Sequence, residues 1–238
     1  MKNHRIATAE QIRDRIEQEG GKYWRQSDFS ELPPFAVSQA LSRLVKAGVL
    51  ERVSKGLYYR PRTTRFGRSR PSESEIQALP IHQKVMPAGI SAANLLGFST
   101  QNVAQGEFAT AAASVPRKIM GKSVRLHTRR PETWNSLSPT EAALLDLLRT
   151  RGKFSELSEE ATQQRLLLYL GEGDRYERLA AIASTEPPRV RAMLGAIGQE
   201  LKKSPKQLAP LRQSLNPISR FDFGKLRTLR YSKEWQCK

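Results

Sequence analysis

The chain has 238 residues, with 40 Lys and Arg against 23 Asp and Glu, a formal net charge of +17 and a pI near 10.4. A surplus of that size persists most readily beside a polyanion, nucleic acid first. One cysteine, Cys237, excludes an internal disulfide framework, and three scattered histidines (His4, His82, His127) show no metal spacing, so neither a metal nor a cofactor is expected. The apolar runs are far too short to span a bilayer, and Met1-Lys2-Asn3-His4-Arg5 leads into no signal-like apolar stretch, so a cytoplasmic protein is expected. The charge is uneven: residues 1–71 carry +8 and residues 202–238 another +8, whereas 131–201 carry −3.

Thr8-Ala9-Glu10-Gln11 reads as a capping box that starts a helix, with Ile12 and Ile16 on one face and Gly20-Gly21 as its end. A short second helix is expected around 27–31, burying Phe29 and stopped by Leu32-Pro33-Pro34. Pro34 then opens a third helix that runs to about Lys46 and closes at Gly48. At 100° per residue Val37, Leu41, Leu44 and Val45 share a face, while Phe35, Gln39, Ser42 and Lys46 lie opposite, with Ser38 and Arg43 on the flanks. No acid occurs from Pro33 to Leu50. An ordinary surface helix mixes both signs. A helix that enters a major groove needs donors and small polar groups and keeps carboxylates away from phosphate.

Residues 49–53 and 57–59 alternate as strands about Ser54-Lys55-Gly56, a tight hairpin. Three helices and a basic-tipped hairpin are the element order of a winged helix-turn-helix, here over residues 1–60. Residues 61–71, framed by prolines and rich in arginine, have no periodicity and read as a basic linker. The expected DNA contacts are Phe35, Ser38, Gln39, Ser42, Arg43 and Lys46 on the third helix, Lys55 in the hairpin, and Arg60, Arg62 and Arg65 behind it. A winged helix that only docks proteins is the other use of this pattern.

Residues 72–238 form a second, larger domain. Pro71-Ser72-Glu73-Ser74-Glu75 opens a short helix, and 90–96 is another, stopped by Gly97. Residues 107–115 and 118–128 read as two or three strands around a Met120-Gly121-Lys122 turn. Helices follow: one from the capping box Ser138-Pro139-Thr140-Glu141 to about Thr150, then 158–170, 174–184 and 188–201, and another from the box Ser204-Pro205-Lys206-Gln207. The fold class is therefore α+β, a winged helix-turn-helix followed by a mixed domain with a small sheet and several C-terminal helices.

No catalytic constellation emerges, so the chain does not read as an enzyme. Met120-Gly121-Lys122-Ser123 has only the end of a P-loop, and Glu159-Glu160 and Asp174 stand where helix starts favour carboxylates. Phe221-Asp222-Phe223-Gly224 lacks the rest of the kinase set. His127 sits in a basic strand with no acid beside it in sequence and is expected to be solvated or simply hydrogen-bonded. The acid-free run 117–130 is either a solvated face or a second phosphate-contacting surface.

The run 43–61, ending Lys55-Gly56-Leu57-Tyr58-Tyr59-Arg60-Pro61, resembles the winged-helix segment of AbiEi-type antitoxins. Gly89-Ile90-Ser91-Ala92-Ala93-Asn94-Leu95-Leu96-Gly97 resembles the small-residue motif that opens that family's second domain; beyond about Arg130 nothing aligns. The resemblance implies an antitoxin of a toxin–antitoxin, phage-defence operon. Its first domain binds inverted repeats in its own promoter, and its second counteracts a nucleotidyltransferase-like toxin, either by contact or through the toxin's RNA substrate. Lys118, Lys122 and Arg125 are the expected antitoxin surface. Three other functions fit the same residues: a ligand-responsive winged-helix regulator, a replication or conjugation protein of a mobile element, and an enzyme such as a nuclease that uses the module for targeting.

Overall fold

The structure is a computed structural model that describes residues 8–19, 22–54, 56–61, 63–65, 67–68, 84–101, 106–113, 115 and 124–238. The fold is α+β. The chain falls into two compact units, Met1–His82 with Ser114–Val124, and Gln83–Ala113 with Arg125–Lys238.

In the first unit α1 (Thr8–Glu19) is followed by β1 (Tyr23–Arg25), a single 3₁₀ turn (Gln26–Phe29), α2 (Pro34–Lys46), β2 (Glu51–Ser54) and β3 (Leu57–Tyr59). The helix α1 already includes Thr8 as its first residue, so Thr8 is not the cap that the capping box predicts. The second helix expected at 27–31 is only the 3₁₀ turn, held by Asp28, whose Oδ2 accepts Arg25 N–H at 2.7 Å. Tyr23 and Trp24, read from sequence as a lead-in, are a strand. Strand β1 pairs antiparallel with β3, Tyr23 opposite Tyr59, and β3 pairs antiparallel with β2, with a register shift between Arg52 and Ser54. The core is compact: Ile12, Ile16, Trp24, Phe29, Val37, Leu41 and Leu50 are almost wholly buried, and Trp24 stacks on Phe29 with ring centroids 5.4 Å apart.

The segment read as a linker carries structure. Thr63–Thr64 (β4) and Gly67–Arg68 (β5) pair as a small antiparallel ribbon, so the first unit continues past residue 60. Periodicity cannot reveal two-residue strands. The short helix predicted from Pro71 and the turn at Met120-Gly121-Lys122 lie outside the described residues.

In the second unit β6 (Val85–Pro87), β7 (Glu107–Thr110) and β8 (Arg125–His127) form one sheet in that order. Pro87 fits because β6 is an edge. All four residues of the central strand β7 are buried. Strand β7 pairs antiparallel with β6 but parallel with β8, so the connection between β7 and β8 is a crossover, an order that the expected two or three strands do not specify.

Among the described residues six helices accompany this sheet: α3 (Gly89–Leu95), α4 (Pro139–Arg149), α5 (Glu159–Gly171), α6 (Arg175–Ile182), α7 (Pro188–Glu200) and α8 (Pro205–Gln213). Both predicted capping boxes are present. Ser138 N–H donates to Glu141 Oε2 at 2.7 Å, and Ser204 N–H to Gln207 Oε1 at 2.9 Å. Helix α4 is the centre of the core, buried from Glu141 to Leu148. In α7 two glycines make room for neighbours. A Cβ at Gly195 would lie 2.1 Å from the Trp235 ring, and one at Gly198 would lie 1.9 Å from the Tyr176 hydroxyl. The C-terminal segment thus packs into α7, with Trp235 Nε1–H donating to Gln199 Oε1 at 2.7 Å. Among the described residues no helix is long and apolar enough to cross a membrane.

Candidate nucleic-acid interface

The helix α2 is strongly two-faced. Val37, Ala40, Leu41 and Leu44 are buried against α1 and the 3₁₀ turn, which turns Ser38, Gln39, Ser42, Arg43 and Lys46 outward. Phe35, at the first turn, is 76% exposed. The N-terminus is held by Pro34 at N1 and by Gln26, whose Nε2 donates to Pro34 O at 2.8 Å. The far end closes on Gly48 in the left-handed region (φ +72°).

The charges on the two helices differ in kind. On α1 Arg13 pairs with Glu17 at 2.9 Å, Arg15 with Glu19 at 3.0 Å and with Glu31 at 2.7 Å, and Lys22 with Glu19. Lys22 and Arg15 hold the Glu19 carboxyl below its usual range. Arg43 and Lys46 on α2, Arg52 on β2 and Arg65 in the β4–β5 turn are exposed and have no carboxylate partner among the described residues. These four cations therefore accompany an acid-free helix face, and such cations are available to phosphate. Arg43 also borders a groove between α1 and α2 that Glu10 and Asp14 line.

Arg60 departs from its expected role. Its Nη1 donates to the carbonyls of Ile16 and Glu17, both at 2.6 Å, and so satisfies the last turn of α1. Arg68 pairs with Glu51 at 3.3 Å. Arg52 is absent from the sequence-based set, although its place in an exposed hairpin strand marks it. Lys55 and Arg62 lie outside the described residues.

In the second unit Arg125 is exposed on β8, 3.9 Å from Glu107 Oε1, while Lys118 and Lys122 lie outside the described residues. His127 is hydrogen-bonded, one of the two states expected, and its partner is an acid distant in sequence. Its Nε2 is 2.6 Å from Oε1 of the buried Glu107 on the neighbouring strand. Close by, buried Asp146 accepts Gly89 N–H and Arg130 Nη2–H, each at 2.7 Å. Burial pushes the Asp146 carboxyl up against the pull of the Gly89 amide and Arg130, and burial likewise pulls the Arg130 guanidinium down. Glu186 accepts Trp134 Nε1–H at 2.8 Å and Arg149 Nε–H at 2.6 Å. These buried carboxylates each meet a cation or a backbone donor, so the network fixes α3 and α4 in place. Among the described residues no group of His, Cys, Asp and Glu could hold a metal ion.

A search of the curated proteins finds no match. Among solved structures, the chain is similar to the RV2827C protein from Mycobacterium tuberculosis, with a TM-score of 0.48 and 16% identity, over 97% of this chain and 89% of that one. A family model matches residues 11–183, and the chain belongs to that family, the family of unknown function DUF6088.

Proposed function

We propose that the first unit is a winged helix-turn-helix that binds duplex DNA and that the protein is a cytoplasmic transcriptional autorepressor. The observation that carries this reading is the outward face of α2, polar, acid-free and bearing cations without carboxylate partners among the described residues, beside a β-hairpin. In this reading α2 enters the major groove. Gln39 and Arg43 meet base edges, Ser38 and Ser42 let the backbone approach, and Phe35 offers an apolar contact to thymine methyls. Lys46, Arg52 and Arg65, with Lys55 and Arg62, hold phosphates on either side.

The antitoxin role of the second unit rests on the resemblance of residues 43–61 and 89–101 to AbiEi-type antitoxins. It assigns the larger unit to countering a nucleotidyltransferase-like toxin, through direct contact or through the toxin's RNA substrate. Titration of the full chain against the duplex upstream of its own gene, over a range of salt, tests the DNA half. Growth rescue in cells expressing a toxin encoded beside it tests the other half. Affinity that is indifferent to salt and to sequence removes the repressor reading.

A further inference from the structure

Helix α4 runs out into two consecutive residues in the left-handed region, Arg151 (φ +60°) and Gly152 (φ +69°). The C-terminal segment packs backbone to backbone on this turn. Lys225 N–H donates to Arg151 O at 3.1 Å, and a Cβ on Gly224 would come within 2.6 Å of the same carbonyl. A cleft of about 370 Å³ opens beside this contact, lined by Arg151, Lys153, Lys225 and Arg227 against Glu159 and Asp222.

Four cations share two carboxylates. Arg151 pairs with Asp222, and Arg227 holds Glu159 in a fork, Nη2–Oε1 2.9 Å and Nε–Oε2 3.0 Å. Lys225 Nζ donates to the carbonyls of Ser155 (2.7 Å) and Leu157 (2.8 Å), so its charge meets dipoles and no carboxylate. Lys153 is exposed and has no carboxylate partner among the described residues. Arg189 stands behind this wall, with a buried Nε that has no hydrogen-bond partner. Burial and the nearby Arg151 charge both pull its guanidinium below the usual range.

We propose that this cleft binds a phosphate group carried on a nucleotide or on a nucleic-acid strand, with Lys153, Arg151 and Arg227 as its contacts. An anion there relieves the repulsion among the guanidinium groups and gives Lys153 a counter-charge. Both arginines are already oriented toward oxyanions, the arrangement that suits phosphate as well as carboxylate. The cleft volume falls in the range of sites for small organic ligands, so a bare phosphate leaves most of it empty and the group arrives on a larger body. Among the described residues no aromatic ring lines the cleft, so recognition runs through phosphate and not through an aromatic stacking platform. The site lies within the second unit and does not rest on the duplex-binding reading of α2.

The test uses the isotope-labelled full chain, titrated by NMR with inorganic phosphate, uridine 5′-monophosphate and a short oligouridylate. Saturable shifts at residues 150–153 and 222–227 are expected. Saturation by the mononucleotide identifies a free nucleotide as the source, and saturation by the oligouridylate alone identifies a strand. Lys153→Glu, at an exposed position, should weaken each probe that binds by about tenfold or more, the effect of losing a charged hydrogen bond. Asp222→Asn keeps an acceptor for Gly224 N–H (2.8 Å) but frees Arg151, and should tighten binding several-fold. A structural role alone predicts no gain for that variant, which keeps the proposal testable if Lys153→Glu fails to fold. Absence of saturable shifts in the cleft, or wild-type affinity in both variants, overturns it.

Discussion

His127 Nε2 and Glu107 Oε1 lie 2.6 Å apart across the parallel β7–β8 pair, and the same carboxylate fills the space over Gly89. A Cβ on Gly89 would meet Glu107 Oε2 at 1.9 Å, and Ile90 N–H points to that oxygen at 3.4 Å. One buried acid thus ties a strand neighbour to the start of α3. Glu107→Ala is expected to lower the unfolding free energy by about 1–3 kcal/mol, because donors in a buried site lose their acceptor. Urea denaturation of the two proteins checks this, and His127→Ala, at a half-exposed ring, should cost less. Equal midpoints for Glu107→Ala and wild type contradict the assignment.

If α2 reads duplex DNA as proposed, its side chains divide by role. Gln39→Ala or Arg43→Ala should narrow the gap between operator and scrambled duplex by about 1–3 kcal/mol. Lys46→Ala, Lys55→Ala or Arg62→Ala should weaken all duplexes alike and reduce the slope of log K against log salt by about 0.9 for each phosphate no longer neutralised. Fluorescence anisotropy on both duplexes at several salt concentrations separates the two patterns. Loss of sequence preference in the Lys55 variant alone would show that the hairpin, and not α2, reads the bases.

Arg60 should behave as neither. Because its guanidinium is occupied by the Ile16 and Glu17 carbonyls, Arg60→Ala is expected to cost about 1–2 kcal/mol of stability, at the lower end for charged hydrogen bonds in a half-exposed site. Its DNA affinity per folded molecule should stay unchanged. Matched chemical denaturation and binding curves decide it. Unchanged stability with lost affinity would make Arg60 a DNA ligand and not a helix cap.

Gly195→Ala places a methyl group on the Trp235 indole. Overpacking of this kind costs about 1–3 kcal/mol. Displacement of one of three buried tryptophans should also red-shift the fluorescence. An unshifted spectrum with wild-type stability would mean that the C-terminal segment does not seat on α7.

Asp222 carries an acid dependence. The Gly224 amide first, and Arg151 with it, hold the Asp222 carboxyl below its usual range. A depressed carboxyl stabilises the fold above its unfolded value, near pH 3.9, and that contribution is lost as pH falls through the lower folded value. Asp222→Asn should therefore lower thermal stability near neutral pH, converge with wild type at the acid end, and so flatten the dependence between them. An unaltered acid limb disproves the coupling.

Legibility in the sequence follows how local each signal is. Pro34, Gly48 and the 3.6-residue spacing of Val37, Leu41 and Leu44 all lie within one helix, and the structure returns that helix with the expected bounds and outward face. Ser138 and Ser204 are read correctly for the same reason. Strand β1 is three residues long and exists because β3, some way down the chain, offers it hydrogen bonds; Tyr23 alone does not announce Tyr59. Glu107 and His127 meet only through a parallel crossover, and strand periodicity does not say which strands become neighbours. The Arg151 cleft needs the C-terminal segment brought back to the end of α4, and no periodicity encodes that return. The second unit's polar sites are accordingly products of topology, whereas the α2 face is a product of spacing.

The seating of Trp235 on Gly195 has a consequence for the order of events on the ribosome. The α1–α2 core cluster of the first unit ends at Leu50, and the buried strand residues Val53, Leu57 and Tyr59 follow at once, but the core around α7 lacks its plug until Trp235 emerges. At roughly 5–20 residues per second, a delay on the order of ten seconds or more separates the two. During that interval the small α1–α2 core has all its partners, while the glycine notch on α7 stands open to solvent and to chaperones. Proteolysis of stalled nascent chains should therefore find protected fragments of the first unit well before any of the second.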